Sequence, residues 1–494
     1  MSEPAILAID LGSSSARASL WDSGGDPVEE TETQLSHEFR HTPDGGVVAD
    51  ADELVDLIAR AVDGTLEKAP DVPVQAVAIS TFWHSVLGVD RSCEPTTPVL
   101  TWADRRAAGA AAELRERLDE EEVHRRTGCV LHSSYVPAKL LWLEGASPRA
   151  FARAERFVSP GEYLYLKLFG EARVSTSMAS ATGLLDQIDK RWDGEVLEAL
   201  PIEEVELSPV SDEPLRGLSG EWAERWPALR DVPWFPAYGD GACSNVGAGC
   251  ADRDRLALMV GTSGAMRVLW KAESVEIPEG LWCYRSDAER FVMGGALSDG
   301  GNLIAWLRET LRLPEFEEAE ETIAAMQPDA HGLTFLPLLA GERGPGWTEG
   351  ASGVIAGLSM GTKPEEILRA AMEAVALRFA LVAGILESSL PGERDVIATG
   401  GGMLNSPTWR QIMADVLGRP VTVSKVEEAS SRGAALLVLE ALGEIQDLEM
   451  IEAPLGETAD PDPARHETYR AALARQGRLY DTTIEAASRP GSGQ

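Results

Sequence analysis

Two aspartates stand where a short apolar run gives way to glycine. Asp10 closes the run Ala5-Ile-Leu-Ala-Ile9 and leads into Gly12-Ser13-Ser14-Ser15, with Arg17 close behind. Asp240 lies between Gly239 and Gly241, a short way before a second turn, Gly261-Thr262-Ser263-Gly264. Small residues let backbone N–H groups approach an anion, and hydroxyls add donors without bulk, so both turns suit nucleotide phosphate. A third glycine cluster, Gly400-Gly401-Gly402, follows another short β-like run. Beside a polyphosphate Asp10 is expected to hold Mg²⁺, which takes one or two carboxylates plus phosphate oxygens. Asp240 is expected to be the base that takes a proton from an acceptor hydroxyl during phosphoryl transfer. Its flanking glycines read as room left for a substrate to approach.

Rival chemistries fall away on specific grounds. No Gly-Lys dipeptide occurs, which excludes a Walker A loop, and no G-x-G-x-x-G sits between a strand and a helix. His37-Glu38-Phe-Arg-His41 spells H-E-x-x-H, yet its surroundings alternate and Pro43 follows, so it reads as strand and turn rather than a zinc-binding helix. Five cysteines without a C-x-x-C pair argue against a disulfide scaffold or structural zinc. The net charge of −36 disfavours nucleic acid and anionic membranes as partners. No basic leader and no long apolar run occur, so no membrane is expected and a cytoplasmic location is.

The elements that must position these residues are those of an α/β protein. A strand, tight turn and second strand open the chain; helical periodicity at 52–66 and 106–119 alternates with β-runs at 74–79 and 85–89. The hairpin has an echo: Leu7–Trp21 resembles Leu258–Trp270, an apolar strand into Gly and hydroxyls and back to Leu-Trp. Two such hairpins half a chain apart predict two lobes of similar design facing across a cleft. The expected boundaries are 1–252 and 253–482, with 483–494 a disordered tail. In the second lobe the pattern predicts a strand at 291–297, a helix after Gly300-Gly301 and a long helix at 364–388. A strand at 395–399, helices at 406–417 and 429–442, an acidic surface loop over 443–463 and a last helix from His466 to Tyr480 complete it.

The ordered motifs resemble the FGGY family of carbohydrate kinases over roughly residues 4–445. Asp10–Arg17 is similar to the family's first phosphate motif, Gly261–Gly264 to its second, Thr399–Asp415 to its adenosine motif and Gly341–Trp347 to its C-terminal signature. The resemblance implies α/β, actin-like, ribonuclease-H-like ATPase lobes with ATP, Mg²⁺ and substrate in the cleft between them. It carries ATP binding to Gly12, Ser13, Ser14, Ser15, Arg17, Gly261, Thr262, Ser263, Gly301, Gly401 and Asn405. It carries the catalytic base to Asp240, and substrate contacts to Trp83, His84, Trp102, Asp104 and Arg105. Segments 101–106, 126–132, 178–183 and 261–267 look most like gluconate kinases, so phosphorylation of D-gluconate to 6-phosphogluconate is the first expectation. A carboxylate needs a cation, for which Arg105, Arg106, Arg267 and His132 all stand open. Trp83 occupies a place where relatives often carry Met or Arg, which keeps xylulose and other ketoses or polyols as alternatives. An actin-like ATPase scaffold without a sugar is the reading from another class. A homodimer, common among relatives, stays open.

Overall fold

The computed structural model describes residues 3–485. The first lobe is built on β1 (Ala5–Leu11), β2 (Ser15–Trp21), β3 (Thr33–Ser36), β4 (Val74–Thr81) and β5 (Tyr238–Gly239), in sheet order β5-β4-β1-β2-β3. Every residue of β1 is buried, as a central strand covered on both faces requires. Three helices of this lobe matter below: α1 (Ala51–Lys68), α2 (Val136–Ala146) and α3 (Asp240–Gly247). Asp50 caps α1 by accepting from Asp52 and Glu53 N–H, and Leu54, Val55, Ile58 and Val62 turn its apolar face to the sheet.

The second lobe has β6 (Arg255–Val260), β7 (Gly264–Lys271), β8 (Trp282–Arg285), β9 (Arg290–Leu297), β10 (Asp395–Thr399), β11 (Val421–Ser424) and β12 (Leu455–Ala459). Their order is β8-β9-β7-β6-β10-β11-β12. Its helices are α4 (Gly301–Thr310), α5 (Phe316–Ala325), α6 (Pro364–Ser389), α7 (Gly401–Asn405), α8 (Pro407–Leu417), α9 (Ala429–Ala441) and α10 (Pro463–Tyr480).

The sequence echo is a topological one. β3-β2-β1-β4-β5 and β9-β7-β6-β10-β11 run in the same order and with the same senses: the first three strands antiparallel to their neighbours, the last two parallel. In both lobes a helix links the third antiparallel strand to the first parallel one, and another follows the last strand of the motif. These are actin-like, ribonuclease-H-like lobes.

α3 and α9, the equivalent last helices, pack against each other between the lobes. A Cβ on Gly247 would lie 1.8 Å from Ala429 O, and one on Gly433 would lie 1.8 Å from Cys243 O. The contact is thus backbone on backbone, and reciprocal. Arg432, beside it, donates to three carbonyls, Gly25 at 2.9 Å, Gly247 at 2.8 Å and Glu452 at 3.0 Å, tying both lobes together. Ala434 to Leu439 of α9 join the first lobe's core although they come from the second half of the chain.

Three expectations need correcting. The presumed loop 443–463 contains β12, which pairs antiparallel with β11 at the sheet edge. Its mostly exposed residues, Leu455-Gly-Glu-Thr-Ala459 with no apolar alternation, hid it, as is common at sheet edges. The last helix starts at Pro463, not His466: Asp462 caps it and proline fills its first turn. The tail does not begin at 483, because Asp481–Glu485 forms a helical turn that buries Ile484; residues 486–494 lie outside the described residues. No helix of the described residues is long and apolar enough to cross a membrane.

Candidate active site

The two glycine turns meet across the cleft. Ser13 and Ser14 from the first and Thr262 and Ser263 from the second line one cavity of about 640 Å³. Gly12 N–H donates to Ser15 O at 2.9 Å and Gly261 N–H to Ser263 O at 3.0 Å, so each turn is closed on itself with its hydroxyls outward to the cavity. Ser15 is buried in β2 behind the turn. The second turn also abuts α4: Gly301 N–H donates to Gly261 O at 2.7 Å and Asn302 N–H to Thr262 O at 3.0 Å. Gly301, Gly401 and Asn405 line a separate, largely apolar cavity of about 200 Å³ with Ile304, Phe316 and Met372.

Arg17 does not face the phosphate turns. Its guanidinium contacts the Glu428 carboxylate of the other lobe and lies 3.9 Å from Asp10 Oδ2. Asp10 is buried, and its Oδ1 has no hydrogen-bond partner. Burial pushes its carboxyl up to about 6, against the pull of Ser80 and Arg17 and with Asp240 adding repulsion.

A further cavity, of about 280 Å³, adjoins the phosphate turns and shares Ser13, Thr262, Ser263, Trp102, Ser134 and Arg343 with the larger one. Asp240, the first residue of α3, opens into it together with Trp83, His84 and Arg267. Burial raises the Asp240 carboxyl above its ordinary value, while Arg267 and Arg343 oppose that. A carboxylate raised toward neutrality is a better proton acceptor than an ordinary one. The walls are aromatic: Trp282 stacks on Tyr284 at 4.3 Å, and Tyr284 OH meets Tyr135 OH at 2.7 Å.

Residues 5–247 match the N-terminal domain, and residues 256–442 the C-terminal domain, of the FGGY family of carbohydrate kinases. The chain belongs to this family. It is therefore a phosphotransferase acting on an alcohol group of a small-molecule sugar, rather than an actin-like scaffold, and ATP is the family's phosphate donor. It is 30% identical over 470 residues to a gluconokinase of Bacillus subtilis, covering 92% of this chain and 90% of that one. A xylulose kinase of Lactococcus lactis is 26% identical over 456 residues, covering 90% and 89%. The structure of a gluconate kinase from Lactobacillus acidophilus superimposes with a TM-score of 0.89 at 26% identity, over 98% of this chain and 99% of that one.

Within the kinase, the sequence-derived substrate residues divide. Trp102 lines both cavities, and Arg105 lines the larger one while donating to Glu349 O at 2.9 Å. Asp104 does not reach the cleft: it is buried, gripping the Arg106 guanidinium at 2.5 Å and accepting from Val47 N–H. That pair also removes Arg106 as a carboxylate ligand. The glycines around Asp240 do not leave room for substrate. A Cβ on Gly239 would fall 1.8 Å from Trp83 Nε1, and one on Gly241 2.4 Å from Trp83 Cζ3, so the Trp83 indole fills that space. Trp83 is held there by its Nε1–H to Ser177 O at 3.2 Å. His84 Nδ1–H donates to Ala181 O at 2.6 Å, and burial lowers the imidazole to about 3, so the ring is neutral with Nε2 left as an acceptor.

Sequence reasoning missed Arg343, which lies within the Gly341–Trp347 segment. Its guanidinium lies over the Trp102 ring at 4.4 Å and donates once, to Leu297 O at 3.0 Å; its buried Nε has no partner. Among the described residues no carboxylate stands within ion-pair distance of it, whereas its neighbour Glu342 is paired with Arg378. The available signal was a lone cation between glycines in a stretch otherwise poor in charge. Asp329, His331 and Glu373 also cluster, but Arg475 and Arg369 already hold the two carboxylates, so the group is a closed ion network.

Proposed function

We propose that the enzyme transfers the γ-phosphate of ATP to a hydroxyl of a sugar acid, with D-gluconate as acceptor and 6-phosphogluconate as product. Arg343 carries this reading. Of the cations considered for a carboxylate, Arg106 is bound by Asp104 and Arg267 is committed to Gly241 O at 3.1 Å and Asn245 Oδ1 at 3.3 Å. Burial and the neighbouring arginines lower His132 to about 3, so its imidazole is neutral. Arg105 lines only the larger cavity and donates to Glu349 O, which leaves Arg343 in the acceptor cavity as a guanidinium with an unused N–H and no carboxylate in ion-pair contact. Its planar fork matches a carboxylate, and an anion there offsets a burial that pulls the group down to about 10.

In this reading Asp240 takes the proton from the acceptor hydroxyl as its oxygen bonds to the γ-phosphorus. The bond from that phosphorus to the β–γ bridging oxygen breaks, and ADP leaves. Ser13, Ser14, Thr262 and Ser263 hold the phosphates, while the cavity around Gly301, Gly401 and Asn405 takes the adenosine. The partnerless buried Oδ1 of Asp10 fits a Mg²⁺ ligand. Mg²⁺, when bound, supplies positive charge to the phosphate oxygens.

Steady-state assays with gluconate, xylulose and glycerol test the proposal, in the wild type and in Arg343→Gln. Gluconate is expected to give the highest kcat/KM. Arg343→Gln is expected to cut that value about 10–100-fold, the worth of a charge-assisted hydrogen bond, and to spare neutral acceptors. A wild type that prefers xylulose, or a variant that loses all acceptors equally, refutes the sugar-acid reading.

A further inference from the structure

Lys139 is a buried ammonium that the reaction scheme leaves unused. It sits in the first turns of α2, 1% exposed, and lines neither cavity. Its Nζ donates to His84 O at 2.6 Å and also to Ser134 O. Both recipients belong to residues that do line the acceptor cavity. They come from different segments, one after β4 and one just before α2, so a single cation joins two walls from behind. His84 has a φ of 58°, the left-handed region, which side chains other than glycine adopt uncommonly. Its ring is fixed separately by Ala181 O, and its edge meets Tyr135 at 5.0 Å and Tyr284 at 5.3 Å. The backbone conformation that presents the imidazole is thus held at its carbonyl by Lys139.

We propose that Lys139 is a positioning residue of the acceptor site: its ammonium fixes the His84 and Ser134 carbonyls and so sets the wall that meets the acceptor. Charge-assisted donors to two carbonyls hold geometry more tightly than neutral ones. Neither recipient lines the cavity around Gly301, Gly401 and Asn405, and Ser134 alone also borders the larger cavity with the glycine turns, so the effect should fall chiefly on the acceptor.

The same geometry makes the wall sensitive to pH. Burial lowers the ammonium to about 7, with Asp104 opposing. The other groups that face it are the imidazoles of His84 and His132, both held near 3. Between pH 6 and 8.5 neither changes charge, so loss of the Lys139 proton is the event expected to loosen the wall as pH rises.

The test uses Lys139→Met, which keeps an unbranched side chain one atom shorter and removes the donors, and Lys139→Gln, which keeps one donor group. Initial rates are taken with gluconate, or with xylulose should gluconate be inert, and ADP affinity is measured by calorimetry. The expected result is an acceptor KM at least tenfold higher in Lys139→Met, a smaller rise in Lys139→Gln, and an ADP Kd within twofold of wild type. An acceptor KM within twofold of wild type overturns the proposal, as does an ADP Kd that rises in step with KM. A wild-type pH series keeps the proposal refutable even if neither variant folds: acceptor KM should climb above pH about 7, and a flat KM from pH 6 to 8.5 overturns the proposal. Failure of the sugar-acid reading shows separately, in the wild-type acceptor preference.

Discussion

Replacing Asp10 by Asn should make the protein more stable and the enzyme inactive. Asp10 is buried at the end of β1 with Oδ1 unpartnered and Arg17 no closer than 3.9 Å. Its carboxyl is raised from 3.8 to about 6, chiefly by burial. A folded-state value above the unfolded one means the ionised group opposes folding. The penalty is fully present above pH about 6 and fades as pH falls through that value toward 4. The difference corresponds to about 3 kcal/mol at pH 7.5. Asn removes the charge but brings an amide whose N–H groups need partners, a cost of about 1–3 kcal/mol if one stays unmet. The net gain should be about 0–2 kcal/mol at pH 7.5 and smaller by about 1.4 kcal/mol at pH 5. Thermal unfolding of both proteins at the two pH values, with and without Mg²⁺ and ADP, is the assay. Mg²⁺ with ADP should stabilise the wild type more than the variant, because the ligand discharges the buried carboxylate. A variant equally destabilised at pH 7.5 and pH 5 would refute the reasoning and make Asp10 a structural turn residue.

Two further perturbations probe the other half of the site. Asp240→Asn should lower kcat by about 10²–10⁴-fold, the range for loss of a general base, with ADP affinity unchanged; a variant keeping more than a tenth of wild-type turnover removes Asp240 as the base. Gly433→Ala should destabilise despite its helix-propensity gain of about 1 kcal/mol, because the added methyl meets the Cys243 carbonyl at 1.8 Å and backbone cannot rotate away. Overpacking of this kind costs about 3 kcal/mol at the upper end, leaving a net loss of about 2 kcal/mol. Calorimetric unfolding checks it, and a melting temperature at or above wild type shows that α3 and α9 can separate freely. The same shift moves α3, whose first residue is Asp240, so kcat should fall with it.

The lobes were legible because their evidence repeats. β1–β2 and β6–β7 carry the same order of apolar run, glycine and hydroxyl turn and returning strand, and a pattern found twice survives the ambiguity of either copy. The two glycine turns were legible as a facing pair for the same reason, since a short turn of this kind depends on local residue types, and both do line one cavity. Substrate positions were less so, because their roles depend on neighbours far away in the chain. Asp104 and Arg105 are adjacent, yet one is claimed by Arg106 and the other reaches Glu349, more than 240 positions on. The Gly239–Asp240–Gly241 segment misled in an instructive way. Missing side chains signalled close approach correctly, but what approaches is Trp83 from the same lobe, and no spacing rule pairs position 83 with 239. Arg343 and Lys139 went unassigned because a lone cation is ordinary in sequence. Only three dimensions show that one lacks a counter-charge and the other lies behind a cavity wall.

That distribution of cations resolves how so acidic a protein handles anionic substrates. Of 44 basic residues, 37 are arginine and seven are lysine, against 80 acids. Counted over the surface, the balance repels ATP. Counted inside the acceptor cavity, it reverses: Arg267 and Arg343 face the single carboxylate of Asp240, and Lys139 stands behind the wall. A charge in a water-poor cavity acts over a short range with little screening, whereas exposed carboxylates are damped within about 8–10 Å by salt. The local arginines therefore outweigh a distant surplus. Guanidinium is the better cation for this role, since it stays charged under burial that brings the Lys139 ammonium to about 7 while Arg343 remains near 10. In the proposed scheme the permanent charge thus belongs to the group that meets the substrate and the titratable one to the group that holds the wall.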